Sequence, residues 1–418
     1  MSRLFTGAAS IRTTELKYKV IRFASGGVAR HMLVCASTYE PCQSASLYEA
    51  AYSRGCRRYK SSIRTVLYHT AFLFTWAKNN NLDLDYMLMS GGGIGFRDVR
   101  KFANWLEGII FSSIRGQQVS NYVCKILQSC SSFTVWFVEN YTSLVSSDLI
   151  SNVRFEDLIN SHKKVWSRVM IEGEKEFIAP DLTDDELNKI DVFLVGRRAA
   201  GGKKASVYLR NYILWRLIKA FGLRIGEALA LRLDDFNFTG HHPSFQIVRV
   251  DERGADYLDP RTPNNPLVKT FGRLLYFGPD DEGLIDLIDE YVADYRVKRC
   301  SVSGGVEVFI NHDFLFVSHS SANSGAALSC SAASKIAKEI SVNCVEGFHW
   351  HLLRHAVFNR LYEAASKLEN NETEIDHIVY MGGWGNPESL KHYSKRAIRD
   401  RTRERLMRIN QKGVKYEY

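Results

Sequence analysis

No two cysteines in this chain are spaced C-x-x-C, although eight are scattered along it at 35, 42, 56, 124, 130, 300, 330 and 344. Neither a zinc knuckle nor a dithiol redox motif is indicated, and buried reduced thiols are the expected state. No stretch approaches the roughly 18–20 uninterrupted apolar residues that cross a bilayer. Residues 1–13 lack the apolar core and cleavage site of a secretory leader. A cytoplasmic protein with no membrane partner is the expectation. Nucleotide-binding loops are missing too. Gly91-Gly92-Gly93-Ile94-Gly95 and Gly201-Gly202-Lys203-Lys204 are glycine-rich, but neither has the G-x-x-x-x-G-K-S/T spacing that wraps ATP phosphates. Both read as loops ahead of helices, with Lys203 and Lys204 able to touch a phosphate. Repeats of the solenoid kind are absent.

What is present is the balance of a folded chain: 45% hydrophobic and 24% charged residues, over 418 residues that suggest two or three domains. The net charge is +9 and the pI near 9.0, which suits a polyanionic partner. Residues 394–418 hold nine Lys/Arg against three Asp/Glu, so two-thirds of the net charge sits in this tail. Ile398, Leu406, Met407 and Ile409 among its arginines read as an amphipathic helix, docked either on a neighbouring subunit or on its own domain.

Residues 15–36 alternate around Gly26-Gly27 and read as a β-hairpin, so that 1–43 form an N-terminal arm or a cap on the neighbouring helices. Residues 44–171 read as a helical bundle. Ile63, Val66, Leu67, Thr70, Leu73, Phe74 and Ala77 recur at helical period, and further helices are expected from about Phe96, over Val119–Val138 and over Phe155–Met170. Basic residues gather at helix starts: Arg57, Arg58, Lys60 and Arg64, then Arg97 and Lys101. They are candidate nucleic-acid backbone contacts, the plainer alternative being a solvated polar face. Residues 172–181 read as a charged linker ending at Pro180. Thr183, with Glu186 three later, predicts a capping box that opens a second domain over 182–418. There a long helix over Ser206–Phe221 should end on Gly222. A short helix from Gly226, strands near Phe245–Val250 and Gly272–Phe277, and a helix over Asp281–Lys298 come next. Phe314–Val317 reads as a buried segment, 318–331 as a Ser/Ala/Gly-rich loop, and three more helices are expected, over His351–His355, on the approach to Trp384 and around Tyr393. The predicted fold class is mainly α with a small β-sheet, a helical bundle followed by an α+β domain.

Five stretches of the second domain carry candidate chemistry: Phe221-Gly222-Leu223-Arg224-Ile225-Gly226-Glu227, Val268-Lys269-Thr270-Phe271-Gly272-Arg273, His351-Leu352-Leu353-Arg354-His355, Gly383-Trp384, and Lys391-His392-Tyr393. Helical spacing lets His351 and Arg354, three apart, share one face. An Arg holds a phosphate by a two-pronged hydrogen bond, a His adds a donor, and a downstream Tyr offers a nucleophile. In their order and spacing the five stretches resemble the motifs of the tyrosine recombinase (phage integrase) family: the G-L-R-x-x-E segment, the K-T-x-x-x-R hairpin, the H-x-x-R-H box, the G-H/W box, and a Tyr nine residues after it. Trp384 stands where most members have His, a swap known in the family.

The resemblance implies a core-binding domain over 44–171 that clamps DNA and a catalytic domain over 182–418. It implies Arg224, Lys269, His351, Arg354, Trp384 and Tyr393 as catalytic residues, with Glu227 and His355 in support. Tyr393 would attack a DNA phosphodiester to give a 3′-phosphotyrosyl link, and Lys269 on a mobile hairpin would protonate the departing 5′-oxygen. Arg224 and Arg354 would hold the non-bridging oxygens, and Arg273 would brace the hairpin or touch a phosphate. No cofactor or metal is implied. The implied partners are a specific double-stranded DNA site, three further copies in a DNA-bound tetramer, and accessory DNA-bending proteins, at the nucleoid. Two other readings stay open: a type IB topoisomerase-like enzyme, and a DNA-binding relative without catalysis.

Overall fold

The computed structural model of the chain describes residues 16–25, 28–55, 60–90, 93–113, 118–145, 152–170, 181–239, 241–249, 252–254, 257–262, 264–296, 300–301, 307–308, 310–321, 323–368 and 372–390, with 398, 402–403 and 405–407 of the tail. It divides into two compact units, Met1–Phe177 and Ile178–Tyr418. The linker read at 172–181 lies outside the described residues apart from Asp181.

The first unit opens with a two-stranded antiparallel hairpin, β1 (Tyr18–Ser25) and β2 (Val28–Cys35), in register from Tyr18 opposite Cys35 to Ser25 opposite Val28. Among the described residues six helices come after it: α1 (Gln43–Gly55), α2 (Lys60–Asn79), α3 (Leu84–Met89), α4 (Phe96–Ser113), α5 (Gln118–Val145) and α6 (Asn152–Ser167). The predicted stripe on α2 is buried at Ile63, Leu67, Thr70, Leu73, Phe74 and Ala77. It meets Phe102 and Leu106 of α4, Phe133 and Phe137 of α5 and Trp166 of α6 in one apolar core. The hairpin belongs to that core and does not stand apart as an arm. Leu33 is fully buried, the Tyr18 ring packs 5.4 Å from Phe74, the Lys17 amide donates to Thr75, and Arg30 forks onto the Glu49 carboxylate of α1.

The second unit begins with α7 (Asp184–Ala200). Its capping box is closed both ways: the Glu186 amide donates to Thr183 Oγ1 at 3.2 Å, and the Thr183 amide donates to the Glu186 carboxylate at 2.8 Å. α8 (Ala205–Phe221) is buried over most of its surface, Arg210 and Asn211 included, and runs through the centre of the core. It stops at Gly222, whose φ of +60° suits a residue without Cβ. α9 (Ile225–Ala230) starts directly after Arg224.

A three-stranded antiparallel sheet, β3 (Phe236–Asn237), β4 (Ser244–Ile247) and β5 (Arg273–Tyr276), lies against α8 through Phe221, Phe245 and Phe277. The helix expected over 281–298 is α10 (Glu282–Glu290), which widens into a π-helical turn over Tyr291–Arg296. That turn brings Arg296 inward, where it donates to the Phe314 and His312 carbonyls. α11 (Cys330–Asn343), which the sequence does not announce, precedes α12 (Trp350–Ala365) and α13 (Glu372–Gly382), the helices expected to carry His351–His355 and to lead to Trp384; the helix expected around Tyr393 lies outside the described residues. Ser329 caps α11, and His349, unremarkable in the sequence, caps α12 by accepting from the Leu352 amide.

Candidate active site

Glu227 is the point on which the predicted residues converge. It sits at the third position of α9, 1% exposed, and both its oxygens are engaged. Oε2 accepts from the Arg224 amide at 2.9 Å and from Arg273 Nη2 at 2.9 Å. Oε1 accepts from the Thr270 hydroxyl and lies 3.4 Å from Arg224 Nη1, while Arg354 Nη1 stands 3.8 Å from Oε2. Burial alone would raise this carboxyl. The Arg273 and Arg354 guanidiniums and the hydrogen bonds from Arg273 and Thr270 outweigh it and hold the group below the usual carboxylate range. Three guanidiniums around one carboxylate leave the cluster positive, and Arg224, about a quarter exposed, turns that excess toward solvent.

Arg354 overturns one expectation. The spacing puts it on a shared face with His351, yet His351 is exposed and Arg354 is fully buried. Its guanidinium bridges two helix ends, donating to the Gly222 carbonyl at 2.6 Å and to the Gly382 carbonyl at 2.8 Å. Helix C-termini carry partial negative charge, so α8 and α13 both present the right sign to a buried cation. The Phe358 and Trp384 rings cover it at 4.6 and 5.1 Å. Arg354 therefore does not present a fork to a surface phosphate in this conformation. It ties α12 to the ends of α8 and α13.

Of the two roles read for Arg273, the geometry fits bracing the hairpin and not a phosphate contact: the residue is 3% exposed and belongs wholly to the interior, to Glu227, to the Met381 carbonyl at 2.8 Å and to Thr270 Oγ1 at 3.1 Å. A guanidinium already facing a carboxylate inside the protein is not a surface cation. Gly383 makes room for it. Its φ is +63°, and a Cβ there would come within 2.6 Å of Arg273 Nη1.

Lys269 is exposed, as expected, but it does not crown a free hairpin tip. It lies near the β5 end of the connection between β4 and β5, in a segment held on both sides. The Leu267 carbonyl abuts Gly226, where a Cβ would approach to 2.5 Å, and the Phe271 amide donates to the Gly383 carbonyl at 3.1 Å.

The His351 and His355 rings meet edge-on at 4.5 Å, with His355 nearly buried. Desolvation, then His355, Arg354 and Arg224, push the His351 imidazole down to about 4. Solvent reaches the outer part of this residue and limits how far burial acts, while the flanking cations push in the same direction. His351 is thus neutral at pH 7. Trp384 is half-buried against Phe358, beside the small cluster of Phe358, Ala365, Ile378 and Leu390. Tyr393, with Lys391 and His392, lies outside the described residues; Leu390, three before it, is buried in that cluster.

Among the predicted backbone contacts, Arg64, Arg97, Lys101, Lys203 and Lys204 are exposed. Lys60 is in α2 with its side chain undescribed, and Arg57 and Arg58 fall outside the described residues. Arg22 of the hairpin joins this group unannounced by the sequence. It lies close enough to Arg64 that the two guanidiniums, after burial, help push His31 down to about 4.

No protein-family model and no curated protein matches this sequence. Solved structures do. The Tn1549 transposon integrase in complex with circular intermediate DNA is 14% identical, over 84% of this chain and 94% of that one, at a TM-score of 0.50. A post-cleavage complex of the XerH site-specific recombinase with palindromic difH is 15% identical, over 74% of this chain and 92% of that one, at a TM-score of 0.39. With the integrase likeness added to the observed helical unit and α+β unit, the chain has the tyrosine recombinase fold.

Proposed function

We propose that this protein is a site-specific recombinase or integrase that cuts and rejoins DNA through a 3′-phosphotyrosyl intermediate. The observation that carries this is the meeting of Arg224, Glu227, Thr270, Arg273 and Arg354 in one cluster, with His351, Lys269 and Trp384 at its edge. These residues come from four motifs far apart in the sequence. A phosphodiester is an anion, and its five-coordinate transition state gathers further charge on the non-bridging oxygens. Fixed donors at such a place supply roughly 2.7–4 kcal/mol each. Arg224 is the fork that meets the phosphate, with Glu227 orienting its backbone and side chain. His351, held neutral, keeps one N–H to donate and adds no charge that would compete for the nucleophile.

Tyr393 is the nucleophile. Its phenolate, the proton having passed to water, attacks phosphorus. The bond from phosphorus to the 5′-oxygen breaks, and Lys269 gives that oxygen a proton, becoming a neutral amine. The phosphotyrosyl bond conserves the energy of the diester. A 5′-hydroxyl from a second duplex then expels the phenolate and reseals DNA without ATP. Arg354 holds the platform of Trp384 and the end of α13, from which the chain leads toward Tyr393. The basic first unit, through Arg22, Arg64, Arg97 and Lys101, grips the backbone of the duplex, and exchange between two duplexes calls for four copies assembled on DNA at the nucleoid.

A nicked suicide duplex carrying the cognate site tests the reading. Wild type should trap a covalent adduct that Tyr393→Phe abolishes, and exchange between two duplexes should be seen as well. The complete burial of Arg354 favours one alternative, a relative that binds DNA without cutting it. Binding with no adduct in wild type would select that alternative.

A further inference from the structure

Lys269 reaches the site from the far end of a long connection, and a lysine has a four-carbon stem with high rotamer freedom. Something must fix its backbone if it is to protonate a leaving oxygen. The residues around it alternate: Val268 packs on the core, Lys269 is exposed, Thr270 is buried, and Phe271 is exposed. Lys269 is the outward side chain between two inward anchors.

The second anchor has a defined polarity. A guanidinium only donates and a carboxylate only accepts. Thr270 Oγ1 accepts from Arg273 Nη1 at 3.1 Å, so its own proton is directed to Glu227 Oε1. A hydroxyl is the one small group able to stand between Arg273 and Glu227 and satisfy both. The same carboxylate oxygen faces Arg224. One hydrogen-bonded relay therefore joins the segment of Lys269 to the fork that meets the phosphate.

We propose that Thr270 is a positioning residue for the leaving-group step: by bonding Glu227 it sets the backbone of Lys269 against the scissile bond. This rests on the reading above, in which Lys269 protonates the departing 5′-oxygen. Losing the hydroxyl lets Lys269 drift, and a displacement of about 1 Å costs on the order of 100-fold in rate.

The test compares an ordinary suicide duplex with one whose scissile 5′-oxygen is replaced by bridging sulfur. The thiolate leaves without a proton, so protonation of the leaving group no longer limits the rate. Thr270→Val should form adduct about 100-fold more slowly than wild type on the oxygen duplex and at close to the wild-type rate on the sulfur duplex. Thr270→Ser, which retains the hydroxyl, should match wild type on both. Lys269→Ala serves as the reference for a pure leaving-group defect and should also be restored by sulfur. Should Thr270→Val not fold, Thr270→Ala is read by the same criterion. Equal slowing on both duplexes, or no slowing on either, overturns the proposal. Failure of sulfur to restore Lys269→Ala removes Lys269 as the acid and the proposal with it. A wild-type protein that forms no adduct on either duplex overturns the function itself, a distinct result.

Discussion

Glu227 and Arg273 form an ion pair whose two side chains are essentially sealed from solvent. Breaking such a pair from one side leaves an uncompensated charge in a medium that solvates it poorly. Arg273→Met should destabilise the second unit by about 3–5 kcal/mol, read as a lower midpoint in urea denaturation. A surface phosphate contact would not move that midpoint. The sequence names Arg273 as a motif residue and leaves open whether it braces the hairpin or touches a phosphate, because K-T-x-x-x-R states spacing and not which side of a strand faces inward. Burial alternates along β5, and Arg273 and Leu275 are its inward positions. Arg354 is misplaced for a related reason. Helical spacing tells which residues are neighbours, but the core face it suggests runs through Phe348, Leu352, Leu353, Val357 and Leu361 and leaves Arg354 off it, and the helix ends that attract Arg354 belong to α8 and α13.

Among the elements, helices with a capping residue or a terminal glycine are the most legible. Thr183 and Gly222 bound α7 and α8 as local chemistry requires, and Arg224 precedes α9 as expected. The His349 cap is not legible, since His is rarely used at that place. The π-helical turn at Tyr291–Arg296 has no signal either: its inward Arg finds carbonyls near residues 312–314, contacts that only the fold creates. Close approach of elements gives a sharp expectation at Gly226. Its missing Cβ lets the Leu267 carbonyl approach, and Gly226→Ala would place a methyl 2.5 Å from that oxygen. The variant should lose about 1–3 kcal/mol in thermal or urea unfolding. It should also slow cleavage of an ordinary duplex more than cleavage of one with bridging sulfur, since the displaced segment carries Lys269.

At the scale of the molecule, histidines make both units acid-sensitive. His31, His69 and His162 of the first unit and His319 and His351 of the second are pushed down to about 4, each chiefly by desolvation. They are neutral when folded, whereas the unfolded chain takes up protons below about pH 6.5. Their stabilising effect is complete above that value and is lost as pH falls toward 4, at most about 1.4 kcal/mol per pH unit for each and less for His351, which solvent screens. Glu227 has the opposite charge type and a depressed value, so its contribution is present above about pH 4.3 and vanishes below it. Melting at pH 7.5 and pH 5.0 should show the histidine effect as a loss of stability in both units, with Glu227 adding nothing to it over this interval because its carboxyl stays ionised there. Charge sets the second expectation at this scale. With +9 overall, DNA affinity should fall steeply with salt, and alanine at Arg64 or Lys101 should each lower the slope of log affinity against log salt by about 1. The composition makes a polyanionic partner legible, but nothing in it marks Arg22, whose place beside Arg64 arises from the hairpin docking onto α2.

The bridge from Arg354 to Gly222 and Gly382 means that this arginine has to be judged differently from a conventional reactive group. Lysine in its place would keep the charge, yet a single ammonium lacks the planar fork that spans two carbonyls and lies flat between Phe358 and Trp384. An inert Arg354→Lys protein would consequently report a collapsed keystone before it reported a missing electrophile, so assays of this position should be paired with a melting curve.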